Sequence, residues 1–300
     1  MKILITADWH IKGERPICRI EEDWLESQRQ TIEEIWQVFN GGQCNQIWIL
    51  GDIFDTPRCA TTAVNMLIDE LTAFPENSVR ILCGNHDLKD HSYKNLQQCS
   101  IGTLLKTFST IPQTLFSSRQ ISVSANAFGQ DDETAETEIV CTHQLTFPND
   151  AARPIPGCGL LAQDLLDKWK TAKIIFTGDY HNGYIFENDS RFVVTPGCIN
   201  IQKADELNYK PFVVIWDTEK TGVDQFEVVY LNPQNENCTR DHIESRKQKD
   251  LILSNVIETI QGSVETTLDF DSNLEKAVNK MDLAIINEYN TMKQELGNEK

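Results

Sequence analysis

The 300 residues carry 45 acidic side chains against 27 Lys and Arg, a formal charge of −18 at neutral pH; a chain this acidic does not hold nucleic acid by bulk electrostatics alone. It is 40% hydrophobic with six Trp, enough for a sizeable core, yet no run approaches the ~18 apolar residues that span a bilayer, so no membrane partner is expected. Nine Cys are scattered without a Cys-x-x-Cys pair, which argues against a disulfide framework or zinc ribbon and for small buried hydrophobes in a reducing cytoplasm.

In chain order, Met1–Ala7 is too short for the apolar core of a signal peptide and reads as a first buried strand ending in Asp8-Trp9-His10. Residues 21–39 predict an amphipathic helix, with Leu25, Ile32, Ile35, Trp36 and Phe39 at helical spacing and Asn40-Gly41-Gly42 as its stop. Gln46–Leu50 predicts a strand running into Gly51-Asp52-Ile53-Phe54-Asp55, and 62–74 a second helix. Val79–Cys83 predicts a strand delivering Gly84-Asn85-His86-Asp87, followed by a helix over 95–108. This repeated strand–loop–helix order predicts an α/β layer fold, parallel strands inside and helices outside.

The second half is less regular. Residues 120–128 alternate like a strand, 130–138 form an acidic loop, and 138–141 predict a short strand ending in Thr142-His143-Gln144. A helix is expected over 160–169 and a strand over 173–177 that ends in Gly178-Asp179-Tyr180-His181. Two hairpins follow, turning at Asn188-Asp189-Ser190 and near Thr221-Gly222. Beyond Thr239 the chain is polar and helix-leaning, with a basic stretch over 240–249 and Leu251, Ile252, Val256 and Ile260 on one face.

Asp8, His10, Asp52, Asp55, Asn85, His86, His143, Asp179 and His181 all lie at or just past the end of an apolar run. Ligands gather at the carboxyl ends of strands in such sheets. Each residue singly has a plain structural reading: Asp8 a helix cap, Asp52 and Asp55 turn residues, His143 a satisfied core histidine. Their recurrence at five separate strand ends goes beyond these readings. Mixed carboxylate, imidazole and amide donors suit Mn²⁺, Fe²⁺ or Zn²⁺. The donors are too many for one ion and point to a pair roughly 3.5–4 Å apart.

Asp-x-His, Gly-Asp-x-x-Asp, Gly-Asn-His-Asp, a later His and Gly-x-x-His, in that order over about residues 1–216, resemble the calcineurin-like metallophosphoesterases. Gly51 to Arg58, Asn85-His86-Asp87-Leu88 and Thr195-Pro196-Gly197-Cys198 resemble more narrowly the SbcD-type double-strand-break repair nucleases, especially short phage-type members. The resemblance implies a four-layer α/β/β/α sandwich with two mixed sheets over 1–235 and a helical partner-binding or capping segment over 236–300. It places one ion on Asp8, His10, Asp52 and His181 and the second on Asp52, Asn85, His143 and Asp179, most readily Mn²⁺. It makes His86 the general acid at the scissile phosphate; Asp55 or Asp87 could hold its imidazole by spacing, and the resemblance favours Asp55, which leaves Asp87 as support. It also implies DNA as substrate, an SbcC-type coiled-coil ATPase and a second copy of the chain as partners, and a cytoplasmic setting, in a phage's host if the chain is phage-encoded.

One residue departs from the pattern. Asp179 stands where the family has His, and the added negative charge is expected to hold the second ion more firmly and attract a phosphodiester less. Two other readings share the sequence: a phosphatase or small-molecule phosphodiesterase on the same site, and a scaffold that has lost turnover, which the retained His86 argues against.

Overall fold

The computed structural model describes residues 1–130, 136–232 and 237–262 and isolated positions beyond, with backbone alone at 205 and 256–262. It divides into two compact units, Met1–Cys238 and Thr239–Lys300. In the first unit the chain runs through β1 (Lys2–Thr6), α1 (Trp24–Gly41), β2 (Gln46–Leu50), α2 (Thr61–Thr72), β3 (Val79–Leu82) and α3 (Ser100–Leu104). Short strands β4 (Ser109–Thr110) and β5 (Thr114–Phe116) lead to β6 (Gln120–Ala125), β7 (Ile139–His143), β8 (Thr146–Phe147) and β9 (Leu160–Leu161). Then come α4 (Ala162–Lys168), β10 (Ile174–Gly178), β11 (Tyr184–Asn188), β12 (Arg191–Thr195), β13 (Phe212–Asp217) and β14 (Phe226–Tyr230).

The strands make two six-stranded sheets, ordered β14-β13-β1-β2-β3-β4 and β11-β12-β10-β7-β6-β5. Each has four parallel strands, β1 to β4 in one and β12, β10, β7 and β6 in the other, with antiparallel strands at the margins. Helices α1 and α2 cover the outer face of the first sheet. Helix α4 covers the second, where Leu165, Leu166 and Trp169 pack on Val140, Ile175 and Val193. The inner faces meet through edge-to-face and tilted aromatic pairs, Trp48 and Trp216 against Phe176, and Phe226 against Phe192. A central strand such as β1 is therefore buried on both faces, which is why Ile3, Leu4 and Ile5 read as an unbroken apolar run. The mixed sheets form the four-layer sandwich expected of the sequence.

Differences from the sequence expectations have local causes. Helix α1 begins at Trp24 because the Asp23 carboxylate caps it, accepting from Glu26 N. Trp36, expected on its apolar face, is 39% exposed and donates to the Ala73 carbonyl instead. The helix expected over 95–108 is a 3₁₀ turn (Tyr93–Gln98) followed by α3, with extended Cys99 between them. Ser100 is held there because its N–H donates to the Pro57 carbonyl and its hydroxyl oxygen accepts from Cys59 N, so tertiary bonds override the helical pattern. Leu160 and Leu161, expected as helix, pair with β8, and the Asp164 carboxylate starts α4 after them. Asp189 and Ser190, both left-handed, form the tight turn of the β11–β12 hairpin. All nine cysteines are free thiols.

In the second unit, α5 (Asp241–Gly262) carries exposed Leu251 and Leu253. The side chains of Val256 and Ile260, and residues 131–135 of the acidic loop, lie outside the described residues.

Candidate metal centre

The parallel strands of both sheets point their carboxyl ends at one place. The loops after β1 and β2 are bonded together there, Asp8 N to the Gly51 carbonyl at 3.1 Å, His10 N to Asp52 O at 2.9 Å and Ile11 N to Ile53 O at 2.8 Å. Asp8, His10, Asp52 and Asp179 all have left-handed backbones, with φ of 52°, 45°, 50° and 79°. Non-glycine residues adopt this region at a cost of about 1–2 kcal/mol each, so their clustering at one spot marks a geometry imposed for a purpose. Gly51, at φ 89°, leaves no room for a Cβ beside the His143 ring, and a Cβ on Gly84 would meet the Asp52 carboxylate.

Around this point the ligand atoms of Asp8, His10 and His181 lie within 4.8 Å of one another, as do those of Asp8, Asp52 and His143. His10 Nε2 and His181 Nε2 face each other at 3.0 Å, and His143 Nε2 lies 3.3 Å from Asp52 Oδ2 and 4.0 Å from Asp8 Oδ1. Asp52 also reaches His10 Nε2 at 3.7 Å, so its carboxylate stands between the two groups. The Asn85 amide head lies 3.0 Å from His143 Nε2 and 3.3 Å from both Asp52 oxygens; one rotation offers them N–H, the other presents oxygen to a cation. Asp179 touches the group through its backbone, donating its N–H to both Asp8 oxygens at 3.0 and 3.1 Å. Its half-buried carboxylate joins neither trio.

The other ring nitrogens are fixed from behind. His143 Nδ1 donates to the Leu50 carbonyl at 2.6 Å, and His181 Nδ1 lies 2.6 Å from Glu206 Oε1. His86 is exposed, and its Nδ1 donates to the backbone carbonyl of Asp55 at 2.8 Å. This corrects the sequence expectation that the Asp55 carboxylate would hold that imidazole. The carboxylate turns instead to His10 Nδ1 at 3.5 Å and Lys12 Nζ at 3.2 Å. Asp87 is the expected support: wholly buried, it accepts from Phe54 N and Gly84 N at 2.9 Å each and joins the β2 and β3 loops.

Burial and proximity divide the charges. Burial raises the Asp8 carboxyl above its ordinary range despite the nearby imidazoles. Burial also raises Asp52, but the charge and hydrogen bond of His143, with His10 and His86, win and hold it well below that range. His143 resists the lowering effect of burial because Asp52 and Asp8 face it, and its pKa is raised. Two buried carboxylates converge here, and neither is paired with Lys or Arg among the described residues. Four imidazoles and an amide surround them. Charge neutralisation by divalent cations fits this donor set, and the opposed ring nitrogens of His10 and His181 offer lone pairs to the same point.

Sequence reasoning missed Glu206 and Lys12. Glu206 sits on a 3₁₀ turn after the Thr195–Cys198 motif, in a loop with no apolar periodicity to place it. That motif backs the site: Cys198 N donates to the His181 carbonyl at 3.0 Å.

Residues 1–145 match the family model described as calcineurin-like phosphoesterase. That match spans just under half of the chain and takes in Asp8, His10, Asp52, Asn85, His86 and His143. It is 31% identical over 94 residues to the SbcD subunit of nuclease SbcCD from Bacillus subtilis (strain 168), a match spanning 30% of this chain and 23% of that protein. Among solved structures it is similar to a dimetal phosphatase from Danio rerio, at 13% identity and a TM-score of 0.47 over 77% of this chain and 99% of the other. A novel archaeal phosphodiesterase is similar at 15% identity and a TM-score of 0.41, over 77% of this chain and all of that one.

Proposed function

We propose that the chain hydrolyses phosphodiester bonds of DNA with two divalent ions, most readily Mn²⁺, as the nuclease subunit of an SbcCD-like complex. The observation that carries hydrolysis is the convergence of buried Asp8 and Asp52 with His10, His143 and His181, beside an exposed His86. The similarity to the SbcD subunit of the Bacillus subtilis nuclease supports DNA as the substrate. Asp8, His10, Asp52 and His181 would hold one ion and Asp52, Asn85, His143 and Asp179 the other. Ions bound there would supply Lewis acidity toward the phosphodiester and lower the pKa of attacking water.

The chain's own residues do the rest. A carbonyl only accepts, so the His86 Nδ1 that bonds to Asp55 O keeps its proton. The proton that His86 gives up is then the one on Nε2, which passes to the leaving oxygen. Asp87 keeps the His86 loop in place by bonding to both neighbouring loops. The charge of −18 fits a nuclease whose partner, a coiled-coil ATPase, supplies most of the DNA affinity. The exposed Leu251 and Leu253 of α5 offer that partner an apolar contact. The same acidic surface suits a small phosphodiester, which needs no basic track, and this is the second reading.

The test is turnover of linear double-stranded DNA, single-stranded DNA and bis-p-nitrophenyl phosphate with Mn²⁺. His86→Ala should lower DNA turnover by about 10²–10⁴. Rapid turnover of the small ester with DNA left intact would overturn the nuclease reading in favour of the second.

A further inference from the structure

Glu206 is 6% exposed, and its carboxylate is fully engaged. Oε1 lies 2.6 Å from His181 Nδ1, while Oε2 accepts from Gln202 N at 3.0 Å and Lys203 N at 3.1 Å. The loop that carries it is itself held. Thr31 donates to Asn200 Oδ1 at 2.8 Å, and Gln202 Nε2 donates to the His10 carbonyl at 3.0 Å. One loop therefore grips both histidines that face each other at 3.0 Å. His181, Cys198 and Glu206 also bring their ligand atoms within 4.8 Å of one another. That trio is closed by a direct hydrogen bond, with the remaining carboxylate oxygen taken by two amides, and so orients His181 rather than enclosing an ion.

We infer that Glu206 is a positioning residue: it pins the proton of His181 on Nδ1 and turns Nε2 toward His10 and the ion. The inference rests on the ligand role proposed for His181. A carboxylate behind a ligating imidazole both fixes the ring and raises its basicity, and losing such a partner typically costs 10–100-fold in metal affinity. His143 has only the Leu50 carbonyl in the same place, so the effect belongs to one ion of the two.

The experiment titrates Mn²⁺ into metal-free full-length protein by calorimetry, for wild type, Glu206→Gln, Glu206→Ala, His181→Ala and Cys198→Ser. Glu206→Ala should weaken one ion by about 10–100-fold and leave the other unchanged. Glu206→Gln, which keeps an acceptor without the charge, should fall between it and wild type. Cys198→Ser should bind as wild type. In the Zn²⁺-loaded protein, the His181 Nδ1 proton should exchange slowly by NMR in wild type and rapidly in Glu206→Ala. Wild-type affinity in Glu206→Ala, or equal weakening of both ions, would overturn the inference. So would loss of an ion in Cys198→Ser with a thiolate charge-transfer band for Co²⁺, which would make the trio itself a binding site. Wild-type affinity in His181→Ala would remove the ligand assignment and the inference together. Failure to cleave DNA would instead count against the nuclease reading and leave these metal affinities standing.

Discussion

His143 and His181 reach the same point from neighbouring strand ends of one sheet, but the molecule holds them by different means. His143 is fully buried, backed by a main-chain carbonyl of the opposite sheet and fitted against Gly51 and Gly178. His181 keeps 18% of its side chain exposed and is backed by a carboxylate 25 residues further on. The first arrangement follows from packing two sheets face to face and has no freedom once they are formed. The second depends on a long irregular loop and can be retuned by one side chain. Rigidity thus comes from the sheets and adjustment from the loop.

Asp52, which stands between the halves, offers the largest test. Asp52→Asn should abolish the binding of both ions and lower turnover on the order of 10³-fold, beyond the ~10–100-fold of an outer partner. Calorimetry with Mn²⁺ and single-turnover cleavage measure it. If only one ion is lost, Asp52 does not join the halves. Glycine substitutions break the halves separately. Gly51→Ala forces a Cβ at positive φ into the His143 ring and should cost about 2–4 kcal/mol in guanidinium unfolding, with loss of the His143 half. Gly197→Ala, at φ 78° against Tyr209 and the His181 carbonyl, should damage the His181 half instead. Identical metal-binding defects in the two variants would show that the halves are not independent.

The same contrast sets how far the sequence could be read. Asp8, His10, Asp52, Asn85 and His143 were legible because each follows an apolar strand and the strands converge by the ordinary geometry of parallel sheets. The hairpins after His181 were legible from alternation and turn residues. Glu206 was not, since an acidic residue in an irregular loop looks the same whether it faces solvent or an imidazole 25 positions away. The break at Cys99 was hidden for a similar reason: bonds from Ser100 to Pro57 and Cys59 decide it, and neither is local. Asp55 was found as a residue and misread as a group, because a resemblance carries over a position and not which of its oxygens makes the bond.

Asp179 extends the comparison to the residue that departs from the family pattern. Its carboxylate is among the charges that hold the His143 pKa up, so it bears on the buried half although its backbone binds Asp8. Asp179→His should weaken one Mn²⁺ several-fold and lower the KM for a phosphodiester by a similar factor, since a negative charge near the site is removed. Unchanged Mn²⁺ affinity in a calorimetric titration would sink the idea.

The smallest effect is expected at Asp55. Because its carbonyl orients His86, Asp55→Asn should leave that bond intact and change kcat by less than about 10-fold, against the ~10²–10⁴ expected if the carboxylate were a working part of the general acid. The side chain has a separate signature in metal-free protein. Burial raises the Asp55 carboxyl, but His10 and Lys12 outweigh it and hold the group at about 2, below the ordinary value of 3.8. A depressed carboxyl stabilises the fold above its unfolded pKa and loses that contribution as the pH falls through the folded one. Wild type should therefore be more stable than Asp55→Asn above about pH 4, with the gap closing toward pH 2. Urea unfolding in EDTA across that range measures it. A gap that stays constant with pH would mean that the ion pair with Lys12 contributes nothing, while a large loss of kcat at neutral pH would return the carboxylate to His86.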